Sequence, residues 1–168
     1  MSRQRVVDLE IGQDLRFQQQ EWRFQRVSWA VMLFVIVAAG LGILGGQGPL
    51  SQAVLHTDDA SLEVEYERFG HFSRPTRLYV RVEHKDSSEL NLWLARGYVQ
   101  QFQIQRIVPE PYKTQLAGDY LIYSFQIVSQ KDVAEIVFYL QPDTSGLIQG
   151  QISVEGGTAL KVAQFIYP

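Results

Sequence analysis

The longest apolar run of the chain lies near its N-terminus, between Val27 and Gly46. This run contains no charged residue, and no formal charge occurs anywhere between Arg26 and Asp58. A helix needs about 20 mainly apolar residues to cross the roughly 30 Å hydrocarbon core of a bilayer. The pattern therefore predicts a transmembrane helix over residues 27–46, preceded by a polar tail over residues 1–26.

A cleaved signal peptide is the main alternative to a retained anchor. Its apolar region has about 7 to 15 residues, follows a short basic segment and ends near a small-residue cleavage site. In this chain the apolar run is longer, 26 residues precede it, and Leu44 interrupts the small residues at its exit. The length of the run therefore favours a retained anchor.

Beyond a predicted linker over residues 47–60, apolar and polar residues alternate. Leu62, Val64 and Tyr66 alternate with glutamates, and seven further runs follow, separated by turn residues such as Gly and Pro. Strands are predicted at residues 62–67, 77–83, 89–94, 98–108, 120–128, 134–140, 147–154 and 159–167. About eight short strands at this spacing predict a mainly β domain over residues 61–168, an antiparallel, immunoglobulin-like β-sandwich.

The apolar positions of these runs predict the core of the sandwich. They are Leu62, Val64, Leu78, Val80, Leu92, Phe102, Ile104, Phe125, Ile136, Phe138, Ile152 and Val162. Because the chain has no cysteine, this core must hold the domain together without a disulfide, which about 110 residues can do.

The charge distribution predicts the orientation in the membrane. Residues 1–26 carry five Arg and four acidic residues, whereas no Lys or Arg follows the apolar run before Arg68. Positive residues near a span mark its cytoplasmic side, so the N-terminus is expected in the cytoplasm and the β-domain in the periplasm. This places the protein in a bacterial inner membrane, and its net charge of −3 is no reason to expect nucleic-acid binding.

Two sets of residues are predicted to act at the membrane. Ala38, Gly42 and Gly46 are spaced four apart, the small-residue pattern that lets two membrane helices approach closely. Both a helix partner, such as a second copy, and no partner at all are compatible with that pattern. Trp22, Arg23, Arg26 and Trp29 are expected to anchor the cytoplasmic end of the span at the headgroup level.

No motif of this sequence is typical of catalysis. Without cysteine there is no thiol catalysis or cysteine-ligated metal, and no Gly-x-Ser-x-Gly or phosphate loop is present. The carboxylates of Glu63, Glu65 and Glu67 could bind Ca²⁺, but opposite-charge pairs with Arg81 and Arg77 across a hairpin explain them more simply. No catalytic residue, cofactor or metal is therefore predicted.

Exposed tyrosines are the candidates for a protein interface. Tyr79, Tyr123 and Tyr139 are expected on the outer side of their strands or near its edge. Tyrosine is enriched at protein interfaces, although it is also an ordinary strand residue.

Three stretches carry a resemblance to known sequences. Gly48-Pro49-Leu50-Ser51, residues 62–69 and Gln164-Phe165-Ile166-Tyr167-Pro168 resemble a set of uncharacterised bacterial single-span membrane proteins with an extracytoplasmic β-domain. The resemblance implies the same topology and, because that set has no assigned activity, no catalytic residue.

The sequence leads to one main hypothesis and two others. The main hypothesis is a non-enzymatic envelope protein, anchored by one span, whose β-sandwich binds another membrane protein or a second copy as an accessory or scaffold subunit. The second is a sensor in which the sandwich captures a small envelope ligand in an apolar pocket and the cytoplasmic tail over residues 1–26 reports it. The third is a hydrolase whose loops bring Asp, Glu or His together in one cleft.

Overall fold

The computed structural model of this protein describes residues 15–43, 48–83, 88–127 and 133–168, with the side chains of residues 15–20 left aside. The chain divides into two units, Met1–Val37 and Ala38–Pro168.

The described part of the first unit belongs to helix α1, Leu15–Gly40. Its segment Glu21–Gly40 has the length and apolar composition of a membrane span, with a mean hydropathy of 1.3. The side chains of residues 21–37 are exposed, as expected of a helix that a bilayer or a signal-peptide receptor would cover. An N-terminal apolar helix, which fits a membrane anchor or a signal sequence, is therefore part of this protein.

The second unit consists of eleven described strands and one short helix. The strands are β1 Gln52–His56, β2 Leu62–Glu67, β3 Phe69–His71, β4 Thr76–Glu83, β5 Glu89–Ala95, β6 Phe102–Val108, β7 Lys113–Ala117, β8 Tyr120–Gln126, β9 Val133–Pro142, β10 Gly146–Val154 and β11 Leu160–Tyr167. Helix α2, Arg96–Val99, joins β5 to β6.

These strands form two sheets. The five-stranded sheet has the order β1-β2-β4-β9-β6, and the six-stranded sheet has the order β3-β11-β10-β5-β8-β7. All the strand pairs are antiparallel except β3 with β11, which is parallel. The predicted fold class, a mainly β two-sheet sandwich behind an N-terminal apolar helix, is therefore confirmed.

One apolar core lies between the two sheets. Leu62 and Val64 of the five-stranded sheet and Leu92 and Ile152 of the six-stranded sheet are fully buried in it. The predicted core residues are buried as expected, apart from Ile104, which is only partly buried and packs against the core. It lies just before a shift in register between β6 and β9. Alternation with a period of two was thus sufficient to identify the inward faces of the long strands.

The predicted linker over residues 47–60 is wrong, because it contains β1. Ala53 is 2% exposed within the core, and β1 pairs along its whole length with β2. The strands β3 and β7 were also not predicted, since each is short and β7 is exposed at every position. Tyr98, expected at the start of a strand, lies in helix α2. Short edge segments take their strand conformation from a neighbouring strand, and their own pattern is weak.

The chain leaves helix α1 through a turn, which corrects the predicted span of residues 27–46. The helix ends at Gly40, and Gly42 adopts a φ of 82°, a conformation that favours glycine. A Cβ atom on Gly42 would lie 2.8 Å from the backbone nitrogen of Gly48. Gly42 therefore belongs to a turn and not to the predicted small-residue helix face. Ala38 is buried in the last turn of the helix, and Gly46 lies outside the described residues.

Candidate interaction surface

The outer face of the five-stranded sheet carries most of the predicted interface residues. On β2, Leu62, Val64 and Tyr66 are buried whereas Glu63 and Glu65 are half-buried, so alternate residues point to the core and to this face. The strand register continues the alternation across β4 and β9. The outward side chains of all five strands therefore form one continuous surface, called the outer face below.

A largely apolar row crosses the middle of the outer face. The register aligns Val54, Glu65, Tyr79, Val137 and Val108 across the five strands. Val54 is 48% exposed and Val108 is 37% exposed at the two ends of this row. The row can therefore bury apolar area against a binding partner.

Arg77 joins two of the predicted interface tyrosines. Its Nη1 atom donates a hydrogen bond to the Tyr79 hydroxyl at 3.2 Å. Its guanidinium carbon lies 5.6 Å from the ring centre of Tyr139, which is the distance of a cation–π contact. The hydrogen bond to Tyr79, with the nearby hydroxyls of Tyr79 and Tyr139, raises the pKa of Arg77 further. Arg77 therefore holds both rings on the outer face in defined positions.

A second arginine connects three strands of the same face. Arg81 donates from Nη1 to Glu63 on β2 and from Nε to Glu135 on β9, the latter at 3.3 Å. The hydrogen bond with Glu63 is the main reason that the pKa of Arg81 is raised. The predicted cross-strand pair of Glu63 with Arg81 is thus confirmed. Exposed pairs of this kind contribute about 0–1 kcal/mol, so they order the face more than they stabilise the fold.

The expected partner of Arg77 was Glu67, and here the structure differs. The ladder between β2 and β4 ends at Tyr66 and Leu78, one position before the two residues would pair. Within the described residues, the side chain of Arg77 forms its hydrogen bond with Tyr79 instead. The register of β4 with β9, which places Arg77 opposite Tyr139, is what brings this arginine between the two tyrosines.

A cleft of about 600 Å³ opens at one end of the outer face. It is lined by Ser51, Gln52, Glu65, Tyr66, Glu67, Phe69, Gly70, His71, Arg74, Pro75, Thr76, Arg77 and Tyr79. Polar side chains and charged side chains of both signs dominate this lining. The cleft therefore differs from the mainly apolar pocket that small-molecule sites usually have.

Tyr123 does not belong to this surface, and its prediction as an interface residue is wrong. It is 5% exposed in the core, where its ring meets Phe138 edge to face at 5.5 Å. Burial raises the pKa of its hydroxyl. Tyr123 precedes the core residue Phe125 by two positions, and residues two apart on a strand share a face. The signal that could have placed it correctly was thus present in the sequence.

The predicted membrane anchors all lie on helix α1, in the first unit. Trp22 is 55% exposed and Trp29 is 61% exposed. The guanidinium carbon of Arg26 lies 3.8 Å from the ring centre of Trp22, and Arg23 is also exposed. Trp22 and Arg26 thus form a cation–π pair one turn apart, a combination suited to the headgroup level of a bilayer.

The described residues contain no group of three His, Asp or Glu side chains close enough to hold a metal ion. In the cleft, Glu65, Glu67 and His71 are present together with Arg74 and Arg77. A catalytic cleft would need a nucleophile or base held by a hydrogen-bonded partner. The hydrogen bonds found along the outer face instead join Arg77 to Tyr79 within β4 and Arg81 to Glu63 and Glu135 across strands.

Comparison with solved structures shows a distant similarity in fold. No protein-family model matches the chain, and no curated protein matches its sequence. Among solved structures, it is similar to the cupredoxin domain of amoB from Nitrosocaldus yellowstonii, with 9% sequence identity and a TM-score of 0.33. The similarity covers 56% of this chain and 56% of that chain, so the protein spans little more than half of that structure. The class that the structure defines is a two-sheet β-protein with an N-terminal apolar helix.

Proposed function

We propose that this protein is a single-pass, membrane-anchored envelope protein whose β-sandwich binds another protein. It acts as an accessory or scaffold subunit of an assembly in a bacterial inner membrane and is not itself an enzyme. Its N-terminus lies in the cytoplasm and its β-domain in the periplasm. The partner is a membrane protein or a second copy of the chain.

The anchor is supported by helix α1 and by the charges around it. The apolar segment Glu21–Gly40 has the length of a span. Arg23 and Arg26 lie at its N-terminal end, and Arg68 is the first cation of the chain beyond it. Positive residues near one end of a span keep that end in the cytoplasm.

The observation that carries the proposed binding function is Arg77 between Tyr79 and Tyr139 on the outer face. Tyrosine and arginine are the residue types most enriched among those that contribute strongly to binding energy. Since Arg77 already orders both rings, little side-chain entropy is lost when a partner covers them. The exposed valines Val54 and Val108 lie in the adjoining row, and the charges of Arg81 and Glu135 form a polar border.

The proposal is tested by crosslinking the full-length protein in native membranes and recovering it through a tag. The wild type is compared with Tyr79→Ser and Tyr139→Ser. Tyr112→Ser is the matched control, since Tyr112 is 51% exposed but precedes β7 in the other sheet. We expect a stoichiometric partner with the wild type and with Tyr112→Ser, and its loss with both variants of the outer face.

Two further measurements make the result unambiguous. Thermal melting of each variant shows that the sandwich remains folded, and two differently tagged copies reveal a homo-oligomer. Recovery of the same proteins from all four samples, or of none from any of them, would contradict binding through the outer face.

A ligand-binding sensor remains the second candidate, because the cleft has a volume typical of ligand sites, which range over about 300–1,000 Å³. Its lining holds the cationic side chains of Arg74 and Arg77 together with the carboxylates of Glu65 and Glu67. A polar ligand is therefore favoured over an apolar one, and an anionic group of that ligand would bind Arg74. Under this hypothesis, a carboxylate or phosphate compound raises the Tm of the wild type but not that of Arg74→Gln. Such a result without any protein partner would favour the sensor.

A further inference from the structure

A second apolar surface lies on the outer side of the six-stranded sheet, at one end of it. The register aligns Leu147 of β10, Phe165 of β11 and Phe69 of β3 side by side. Leu147 is 62% exposed and Phe165 is 39% exposed. Tyr167 follows on the same side of β11, and its ring lies 5.0 Å from that of Phe165 and 6.5 Å from that of Phe69. These four residues are called the aromatic patch below.

Along β10 and β11, the apolar character of this surface is confined to one end. The next positions along β10 and β11 pair Gln149 with Ala163, and the following ones pair Gln151 with Lys161. The face therefore changes from aromatic to polar and charged over four residues, or about 13 Å of strand. Such a gradient is typical of a surface that meets water at one end and a less polar medium at the other.

The aromatic patch is tied to the residues that follow helix α1. The Tyr167 hydroxyl donates a hydrogen bond to the carbonyl oxygen of Ile43. Nearby, the backbone nitrogen of Leu50 donates to the carbonyl of Leu41 at 3.1 Å, and Leu50 is 43% exposed. All of these contacts lie within the second unit.

Chain length then limits how far the patch can lie from the end of a span. Ile43 is the third residue after Gly40, where the apolar helix ends. Three residues of fully extended chain reach at most about 10 Å. The headgroup layer on each side of a bilayer is roughly 5–7 Å thick. A residue bonded to Ile43 is therefore held in or directly above that layer whenever the helix spans a membrane.

We propose that the aromatic patch inserts into the lipid headgroup layer of the membrane that holds helix α1. This inference rests on the proposed anchor and adds a second, peripheral membrane contact made by the β-domain itself. The chemistry suits the site, because aromatic side chains with a polar edge are favoured at the membrane–water interface. Phe72, whose backbone nitrogen donates to the carbonyl of Tyr167, adds another exposed ring, at 46% exposure.

Cationic residues next to the patch fit the phosphate groups of lipids. Arg68 and Arg74 are exposed and lie on either side of β3 in the chain. The carbonyl of Arg68 accepts a hydrogen bond from the backbone nitrogen of Phe165, which places that residue beside the patch. Arginine close to a membrane surface is attracted by anionic headgroups. Lipid is the occupant we propose, since the hydrogen bond of Tyr167 to Ile43 holds the patch close to the headgroup layer. This holds whatever protein partner is bound elsewhere.

The absence of cysteine from the sequence makes a direct test available. Single variants of the full chain, Leu147→Cys and Phe165→Cys, are labelled with an environment-sensitive fluorophore. They are reconstituted in vesicles of phosphatidylcholine and phosphatidylglycerol, with doxyl quenchers attached near the headgroup or deep in the acyl chain. The matched control is Lys161→Cys, which lies on the same strand and side as Phe165. Ile36→Cys reports on the anchor itself, since Ile36 belongs to the apolar helix.

We expect the labels at positions 147 and 165 to shift to the blue and to lose emission with the shallow quencher more than with the deep one. The label at position 161 keeps the emission of a water-exposed fluorophore. If the labels at positions 147 and 165 had the same water-exposed emission as the label at 161, the inference would be overturned. A blue shift at 147 and 165 without quenching by either doxyl lipid would also overturn it, because a protein would then cover the patch.

The label at position 36 separates the two proposals. Quenching at position 36 without quenching at 147 and 165 would support the anchor and contradict the peripheral contact. No quenching at 36 would instead show that the helix does not span the membrane, so that the proposed anchor itself fails. Thermal melting of each labelled variant ensures that the sandwich is folded in every sample.

Discussion

A few buried polar residues form a hydrogen-bond network in the core of this sandwich. Tyr98 is 1% exposed, and its hydroxyl donates to Oε1 of Gln164 at 2.7 Å. Gln164 in turn donates from Nε2 to the carbonyl of Glu67, so both buried polar groups are satisfied. Burial raises the pKa of the Tyr98 hydroxyl well above its usual range, and the hydroxyl therefore remains a donor. This small network joins helix α2, β11 and the end of β2.

Gly150 provides the space that Tyr98 needs. A Cβ atom at Gly150 would lie 2.4 Å from the Cβ and Cγ atoms of Tyr98. We expect Gly150→Ala to lower the free energy of unfolding by about 1–3 kcal/mol, since the ring must move and a well-packed core tolerates added volume poorly. Chemical denaturation measures the change.

The control for this change is Gly97→Ala. Gly97 lies in helix α2 next to Tyr98, and among the described residues, apart from its chain neighbours and the helix backbone, no atom lies within 4 Å of a Cβ at this position. Alanine favours helix over glycine by about 1 kcal/mol, so this variant should be neutral or slightly stabilised. Equal effects of the two substitutions would contradict the close packing of Tyr98 on Gly150.

Asp59 gives the turn between β1 and β2 a dependence on pH. Hydrogen bonds from the hydroxyls of Thr57 and Ser61 lower its pKa below 3.8, its ordinary value. A lowered pKa means that the ionised carboxylate stabilises the folded state above pH 3.8, and that this contribution is lost as the pH falls through the lower folded value. We expect the Tm of the wild type to exceed that of Asp59→Asn near neutral pH, with the difference shrinking on acidification. A difference that does not change between pH 7 and pH 2 would refute this assignment.

At the scale of elements, strand β1 is a part of the sandwich that the sequence pattern did not predict. Its residues alternate between an inward Ala53, 2% exposed, and an outward Val54, 48% exposed. Gly48 and Pro49 precede it, and its pattern alone is as typical of a linker as of a strand. Pairing with β2 is what makes it a strand, because β2 offers an open edge to which β1 bonds along five residues.

Neighbouring substitutions in β1 test this assignment. Ala53→Asn places a polar amide in the core and should cost several kcal/mol, on the order of 2–4, whereas Val54→Asn stays near 0.5 kcal/mol. Denaturation of the two variants of the full chain gives both values. If both were tolerated equally, residues 52–56 would behave as the linker that the sequence predicted.

At the scale of the whole molecule, the turn after helix α1 determines where the β-domain begins. With its φ of 82°, Gly42 packs against the backbone of Gly48. The backbone nitrogen of Gly48 donates a hydrogen bond to the hydroxyl of Ser51, the residue directly before β1. The small residues expected to pack two helices together therefore serve in part to begin the domain. This changes how a substitution at Gly42 should be interpreted.

We expect Gly42→Ala to destabilise the β-domain by about 1–3 kcal/mol, since alanine is strained at this φ and meets the backbone of Gly48. The measured quantity is the Tm of the domain within the full chain. Gly40→Ala is the matched control, because the described structure has no atom within 4 Å of a Cβ at that position. An effect of Gly42→Ala on self-association alone, without a loss of Tm, would instead favour the helix face that the spacing suggested.

The sequence by itself was enough to determine the fold class, the long strands and the apolar helix. These depend on periodicity, since burial on one side of a strand or along a whole helix leaves its mark in residues near each other in the chain. The same alternation explains the correct pairing of Glu63 with Arg81, because β2 and β4 are antiparallel neighbours and their outward residues face each other in register.

Only the tertiary structure decided which outer residues come together. The parallel pairing of β3 with β11, the contact of Arg77 with Tyr139 and the bond of Tyr167 to Ile43 all depend on neighbours far apart in sequence. The short strands β1 and β7 instead pair with the strands next to them in the chain, β2 and β8, but their own alternation is weak. Tyr167 and Ile43 are 124 residues apart, so no local pattern could relate them. The sequence supplied the tyrosines and the apolar helix, whereas the strand order of the two sheets gathered outward side chains into the outer face and the aromatic patch.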